Sequence, residues 1–197
     1  MKIKSIAGAV LLSGILIASI SVLSFRDSYA HRYHDHDNDK EAPQMHTEVP
    51  FRPSTMEELA RFHGHLGPFV VLGSHMGEYA VTEYGMPRYF GVSVEVECPA
   101  VPPHACLIDG LMVSTGATYG KKNIHHTHAK EIRVIITDDA TGASAAFSLK
   151  PSTLAMLEQW EKDDLPIPER GEKCFAMKSQ DLFDVEYAPA DSNESGQ

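Results

Sequence analysis

A chain of 197 residues carrying 17 basic against 27 acidic side chains, formal charge −10, is long enough for one ordinary domain. It is too acidic for nucleic acid to be a partner recognised through bulk charge. Its three cysteines are an odd number, which excludes a scaffold in which every thiol is paired within the chain.

Lys2 and Lys4, the apolar run from Ile6 to Leu23 and the small-x-small triplet Ser28-Tyr29-Ala30 read as a signal peptide cleaved after Ala30. The apolar stretch is about 18 residues, just long enough to cross a bilayer, so an uncleaved membrane anchor is the alternative. Either way the domain is expected outside the cytoplasm, periplasmic or extracellular. Without residues 1–30 the chain keeps 14 basic and 26 acidic side chains, near −12. Residues 31–53 place His31, His34, His36 and His46 among aspartates and prolines with few apolar residues. They read as a linker, able at most to hold a transition metal loosely.

The domain proper is expected over residues 54–187. A first helix is capped by Ser54 or Thr55, with Glu57 or Glu58 as the return half of a capping box. A second runs from Pro68 to about Tyr84 and ends at Gly85, with Val71, Leu72, His75, Met76, Tyr79 and Ala80 on one buried face. Val at alternate positions makes Phe90–Glu97 a strand with one buried face. Cys98 and Cys106 flank a Pro-rich loop and could bridge across it. Leu107 to Val113 reads as a short helix. Glu131–Thr137 and Ala145–Leu149 read as strands joined by a turn through Asp138 to Gly142, and Pro151–Glu161 as a helix with Leu154, Leu157 and Trp160 near one side. A short acidic tail, residues 188–197, is expected to be disordered. Strands and helices do not alternate as β-α-β units require, and no repeat is visible. The expected class is therefore α+β, a single domain of helices on a mainly antiparallel sheet.

Two segments concentrate chemistry. In Phe62-His63-Gly64-His65-Leu66-Gly67-Pro68, Gly-Pro separates two helices, and two imidazoles surround a glycine. Residues two apart cannot share a helical face, so His63 and His65 converge on one ion only if the chain breaks at Gly64. The second segment holds His104, Cys106 and Asp109, then Thr115-Gly116-Ala117-Thr118-Tyr119-Gly120-Lys121-Lys122-Asn123. The glycines and lysine look superficially like a phosphate loop. The spacing between glycines is one residue short, and no Ser or Thr follows the lysine. His125, His126 and His128 form a further cluster, with His126 and His128 on one side of an extended segment. A solvated strand edge is the expectation there.

These two motifs resemble those of the E-subunit family of formylmethanofuran dehydrogenase, which carries His-Gly-His-x-Cys-Pro and later Cys-x-x-Asp followed by Thr-Gly-x-Thr-x-Gly-Lys-x-Asn. The matching residues are His63, Gly64, His65 and Pro68, then Cys106, Asp109, Thr115, Gly116, Thr118, Gly120, Lys121 and Asn123. The resemblance covers roughly residues 54–150. It implies an α+β core with a metal or small-ligand site, zinc being the expected ion. Gly67 stands where the family pattern has cysteine, so one thiolate is missing, and His104 is a candidate substitute. The resemblance does not carry an activity across, since formylmethanofuran chemistry needs a tungsten or molybdenum cofactor held by other polypeptides and is cytoplasmic.

The expected metal ligands are His63, His65 and Cys106, leaving a fourth position for water or a ligand. Asp109, Thr115, Thr118, Lys121 and Asn123 are the candidates for a small, anionic-ligand pocket, with Lys121 supplying charge and turn amides supplying donors. Each has a structural alternative: His63 bonding a helix end, Cys106 as a small core residue, Asp109 as a cap, the threonines and Lys121 bracing a tight turn. A metal-dependent hydrolase or lyase, and a metal carrier or sensor fed by the histidine tether, are the competing functions. A homodimer is expected only by analogy with the family.

Overall fold

The computed structural model describes residues 50–190. The expected signal peptide, most of the linker and the end of the acidic tail lie outside that range. Among the described residues no helix is long and apolar enough to cross a membrane.

Helix α1 (Met56–His63) starts at Thr55. The Thr55 Oγ1 accepts from Glu58 N at 3.2 Å, and Thr55 N donates back to Glu58 Oε2 at 2.9 Å. This reciprocal pair settles the start on Thr55 and Glu58 rather than Ser54 and Glu57. Gly64 ends the helix at φ 96°, donating its N–H to Ala60 O. That left-handed backbone is what glycine supplies at low cost.

Helix α2 (Pro68–Tyr84) opens on its proline and closes on Gly85, as its punctuation predicts. It is buried along much of its length, from Pro68 through Leu72 and on to Met76 and Ala80. Strand β1 (Val92–Cys98) follows, starting two residues later than the expected Phe90–Glu97. A single 3-10 turn, His104–Cys106, then leads into α3 (Leu107–Thr115). Helices α2 and α3 touch backbone to backbone. A Cβ on Gly73 would stand 2.0 Å from Leu107 O, and one on Gly110 would stand 1.9 Å from Val70 O. The glycines therefore set how closely the segments bearing the two motifs approach.

Strand β2 (Ile124–His128) pairs with β1 in parallel, Val96 opposite His126 and Cys98 opposite His128. This is a β1-α3-β2 crossover within a sheet that is otherwise antiparallel. Strands β3 (Arg133–Asp138) and β4 (Ser144–Leu149) form the expected hairpin. Helix α4 (Pro151–Lys162) buries Thr153 and Leu157 but leaves Leu154 exposed, a narrower face than its periodicity suggests. Three further elements complete the domain: α5 (Ile167–Phe175), α6 (Ser179–Leu182) and β5 (Phe183–Ala188). The sheet order is β2-β1-β3-β4-β5.

The core lies between one sheet face and α2. Val92, Val94 and Val96 of β1, Val134 and Ile136 of β3, and Phe147 of β4 are buried. Tyr79 of α2 meets the rings of Phe147 and Phe183 edge-on at 6.3 and 5.7 Å, a favoured aromatic packing geometry. The α+β class stands, with one parallel edge pair. No cysteine is in a disulfide, so Cys98 and Cys106 do not bridge the Pro-rich loop.

Candidate functional site

The end of α1, the start of α2 and the start of α3 converge on His63. Its side chain is only 9 % exposed, and Nδ1–H donates to Asp109 Oδ2 at 2.7 Å. With the proton assigned to Nδ1 by that bond, the neutral ring carries its lone pair on Nε2. His63 Nε2 is buried and has no hydrogen-bond partner. An imidazole oriented by a carboxylate, with its second nitrogen bare, is the arrangement that holds histidine ligands to a metal. Asp109 thus acts on His63, not as a free pocket-lining carboxylate.

His65 lies across the Gly64 break, with its ring centroid 4.7 Å from that of His63. The glycine therefore brings the two imidazoles together, which a continuous helix would prevent. Gly67 is packed beside the same ring. A Cβ there would be 3.3 Å from His65 Nε2 and 3.6 Å from Ile167 Cγ2. The position that carries no thiol in this chain is thus next to a ligand-capable nitrogen.

Cys106 sits half-buried at the last position of the 3-10 turn. Burial, with the Asp109 carboxylate adding to it, pushes its thiol up, so a metal would have to displace a proton there. Two residues earlier, His104 packs its ring against Phe69 at 4.9 Å, and its Nδ1 is likewise buried without a partner. Two orphaned imidazole nitrogens therefore occur in the segments that meet the start of α2. Buried polar atoms are nearly always paired, so each exception calls for an explanation. Among the described residues no three His, Cys, Asp or Glu side chains already stand around one point.

The second motif has a different character. Thr115 Oγ1 donates to Leu111 O at 2.6 Å and accepts from Ala117 N at 3.1 Å. Lys121 Nζ donates to Gly116 O at 2.9 Å and to Thr118 Oγ1 at 3.3 Å. Asn123 Oδ1 accepts from Thr118 N at 3.0 Å, while Nδ2 donates to Tyr89 O at 2.6 Å and Val92 O at 2.8 Å. These groups spend their hydrogen bonds closing the loop between α3 and β2 and fastening it to the start of β1. The lysine charge faces a carbonyl and a hydroxyl of its own turn.

Sequence reasoning missed the cover over the site. Helix α5 packs against α2 and presses on the inter-helix turn, where a Cβ on Gly171 would meet Leu66 Cγ at 2.9 Å. Its Ile167, Gly171 and Cys174 fall at helical spacing after Pro166, a signal that was present but short. Cys174 is fully buried, and burial pushes its thiol up to about 12. It is therefore inert at neutral pH, which leaves Cys106 and Cys98 as the thiols with chemistry. His75, placed by its spacing on the buried face of α2, shares a 2.9 Å hydrogen bond with Ser179 Oγ, and burial pushes its pKa down.

The fold and this geometry define a two-layer α+β domain with an imidazole-rich turn at the junction of its first two helices. Residues 62–191 match the family described as "FmdE, Molybdenum formylmethanofuran dehydrogenase operon", and the chain belongs to that family. A protein of Archaeoglobus fulgidus described as a "Probable S-adenosyl-L-methionine-binding protein" is 38 % identical over 64 residues, 32 % of this chain and 18 % of that protein. The chain thus spans less than a fifth of that relative's length. A crystal structure of an FmdE-like protein of tungsten formylmethanofuran dehydrogenase type, from Syntrophus aciditrophicus, is 18 % identical. That match covers 70 % of this chain and 71 % of the other, with a TM-score of 0.49.

Proposed function

We propose that this chain is an exported FmdE-family domain that binds one transition-metal ion, zinc, at the junction of α1, α2 and α3. His63 Nε2 is the anchoring ligand, His65 and Cys106 supply the second and third, and His104 stands near enough in the chain to take the place of the thiol absent at Gly67. The observation that carries the reading is the bare, buried Nε2 of His63, held in orientation by the 2.7 Å bond from Nδ1 to Asp109. The donor set fits zinc: two imidazoles and a thiolate are borderline-soft ligands that leave a fourth position open. A zinc ion so held would lower the pKa of bound water to ~7 and polarise a carbonyl or phosphoryl oxygen.

The chain's own part is to orient and to enclose. Asp109 fixes the His63 tautomer, Gly64 turns His65 back towards His63, and Ile167 with Leu66 covers the turn. Closing the site requires His65 and Cys106 to swing towards His63. His65 is exposed and Cys106 half-exposed, so neither is locked by packing. A small or anionic ligand is placed at the open coordination position rather than at Lys121, which would first have to release Gly116 O and Thr118 Oγ1.

Elemental analysis of the untagged full chain tests the reading. The expected result is about one equivalent of zinc that withstands dialysis and is lost in His63→Ala. Equal metal in parent and variant would overturn it. Metal loss accompanied by turnover of small esters or phosphoesters would favour the hydrolase among the competing functions. Metal exchange without turnover would favour the carrier.

A further inference from the structure

The histidines of β2 stand apart from that site and have a thiol among them. In the parallel β1–β2 pair, Val96 lies opposite His126 and Cys98 opposite His128. Residues in register on adjacent strands point to the same face. That face carries the buried Val92, Val94, Val96 and Cys98, so His126 and His128 share the face of the Cys98 thiol. They lie at the end of the sheet, since β2 is an edge strand, and both are exposed.

The distances join these residues further. His126 Nε2 is 3.4 Å from Cys98 Sγ and 3.2 Å from Cys98 O. His128 Nδ1 accepts from Ala100 N at 3.2 Å, which turns that nitrogen towards the chain leaving Cys98. Metal–sulfur and metal–nitrogen bonds of ~2.3 and ~2.0 Å at a tetrahedral angle place sulfur and nitrogen ~3.5 Å apart. The Cys98–His126 separation already matches that span. The thiol is unpaired in any disulfide, and a hydrogen bond to sulfur alone does not explain a second imidazole directly opposite the same cysteine.

We propose that Cys98, His126 and His128 form a second metal site, at the parallel edge of the sheet, for a thiophilic d10 ion, Cu(I) or Zn(II). On binding, the Cys98 thiol gives its proton to solvent as the metal–sulfur bond forms. The His126 ring moves its proton to Nδ1 so that Nε2 can coordinate, and His128 Nδ1 exchanges the Ala100 N–H for the metal. No electron changes hands. A thiolate and two neutral imidazoles give a net charge of zero with Cu(I) and +1 with Zn(II). Partial burial beside Val96 therefore favours Cu(I), because an uncompensated charge costs more to bury. Two imidazoles and one thiolate in a trigonal set are a recognised copper arrangement.

The test uses the full chain and two probes. Co(II) reports each metal–thiolate bond through a charge-transfer band that imidazole sites elsewhere in the chain do not produce. Cu(I) and Zn(II) are then titrated against a competing chelator. Compared variants are His126→Ala/His128→Ala, which alters only exposed side chains, and His63→Ala. The parent is expected to bind one more thiolate-coordinated equivalent than the double variant, whose affinity at this site falls at least 100-fold, while His63→Ala retains the edge-strand band. Cys98→Ser should remove the same band, and circular dichroism of that variant reports whether its buried position tolerates the change. An unchanged band and unchanged titration in the double variant would overturn the proposal, whatever happens at His63. Preference for Cu(I) would support the charge argument. Equal or stronger Zn(II) binding would keep the site and overturn the choice of ion.

Discussion

The turn at His63-Gly64-His65 and the turn from Thr115 to Asn123 are both glycine-broken, polar and set between apolar elements, yet they reach opposite states of hydrogen bonding. In the second turn Thr115, Lys121 and Asn123 all bond within the chain, and the result is a clasp between α3, β2 and the start of β1. In the first, one nitrogen of His63 is fastened to Asp109 and the other is buried with nothing to meet it. A satisfied polar group lowers the energy of the folded chain by itself, whereas an unsatisfied buried one raises it until something binds. The difference separates a brace from a site.

The strongest way to break the comparison is to separate the helices from which both turns hang. In Gly110→Ala the new Cβ meets Val70 O at 1.9 Å and Ser74 N at 2.6 Å. Both are backbone atoms that no rotamer change can move aside. Overpacking of this kind costs ~1–3 kcal/mol or more, against a helix-propensity gain of at most ~1. A net loss of about 3 kcal/mol or more is expected, lowering Tm by roughly 10 °C, with metal lost as well because α3 carries Asp109 and Cys106. A calorimetric Tm within a degree of the parent would show that α2 and α3 can slide apart.

Asn123→Ala should break the clasp alone. It removes the partners of Tyr89 O, Val92 O and Thr118 N together, and leaving partly buried groups unpaired costs ~1–3 kcal/mol. Chemical denaturation should show a loss near the top of that range while zinc stoichiometry stays at the parent value. Loss of metal at unchanged stability would instead make the second turn part of the site.

Asp109→Asn sharpens the other half. The amide can still meet His63, but it carries no charge and can present its NH2 side, so the tautomer is no longer enforced. Changes at such an orienting carboxylate weaken metal binding by ~10–100-fold. Stability should move by less than about 1 kcal/mol, since Asp109 is more than a third exposed. Unchanged zinc affinity in a competition titration would reduce the His63–Asp109 pair to a structural contact.

How much of this was legible follows from which groups act locally. The ends of α2 could be read because Pro68 and Gly85 act on their own backbone. The α4 start at Pro151 and the β3–β4 hairpin were equally local. Strand β2 offered no alternation, because only Ile124 of Ile124–His128 is buried. Its pairing with β1 depends on the whole α3 crossover. The parts played by Thr115, Lys121 and Asn123 were hidden for a related reason. A Thr, Lys or Asn beside glycine looks the same whether its partner is a ligand or a carbonyl thirty residues away in the chain. The role of Asp109 is half legible: its place on α3 near Cys106 follows from spacing, but its bond to His63 joins residues 46 apart in sequence.

The smallest expected effect lies at the other end of the helix that carries His63. Thr55→Ala removes one half of the capping box, which costs ~1 kcal/mol at an N-cap, and should lower stability by about that amount without changing zinc content. The pH dependence has a definite sign. The Arg52 guanidinium, with the Thr55 backbone amide, holds the Glu58 carboxyl down from its ordinary 4.5 to about 2. A depressed carboxylate contributes its stabilisation above the unfolded value and loses it as pH falls towards the folded one. The stability gap between the parent and Glu58→Gln should therefore be constant above pH 4.5 and close progressively towards pH 2. Because the pair is solvent-exposed, added salt should narrow the gap throughout. If the gap instead widened in acid, the Arg52–Glu58–Thr55 arrangement would not be what holds the first turn of α1. The bare nitrogen at its last residue would then sit on a helix secured only by the packing of Leu59.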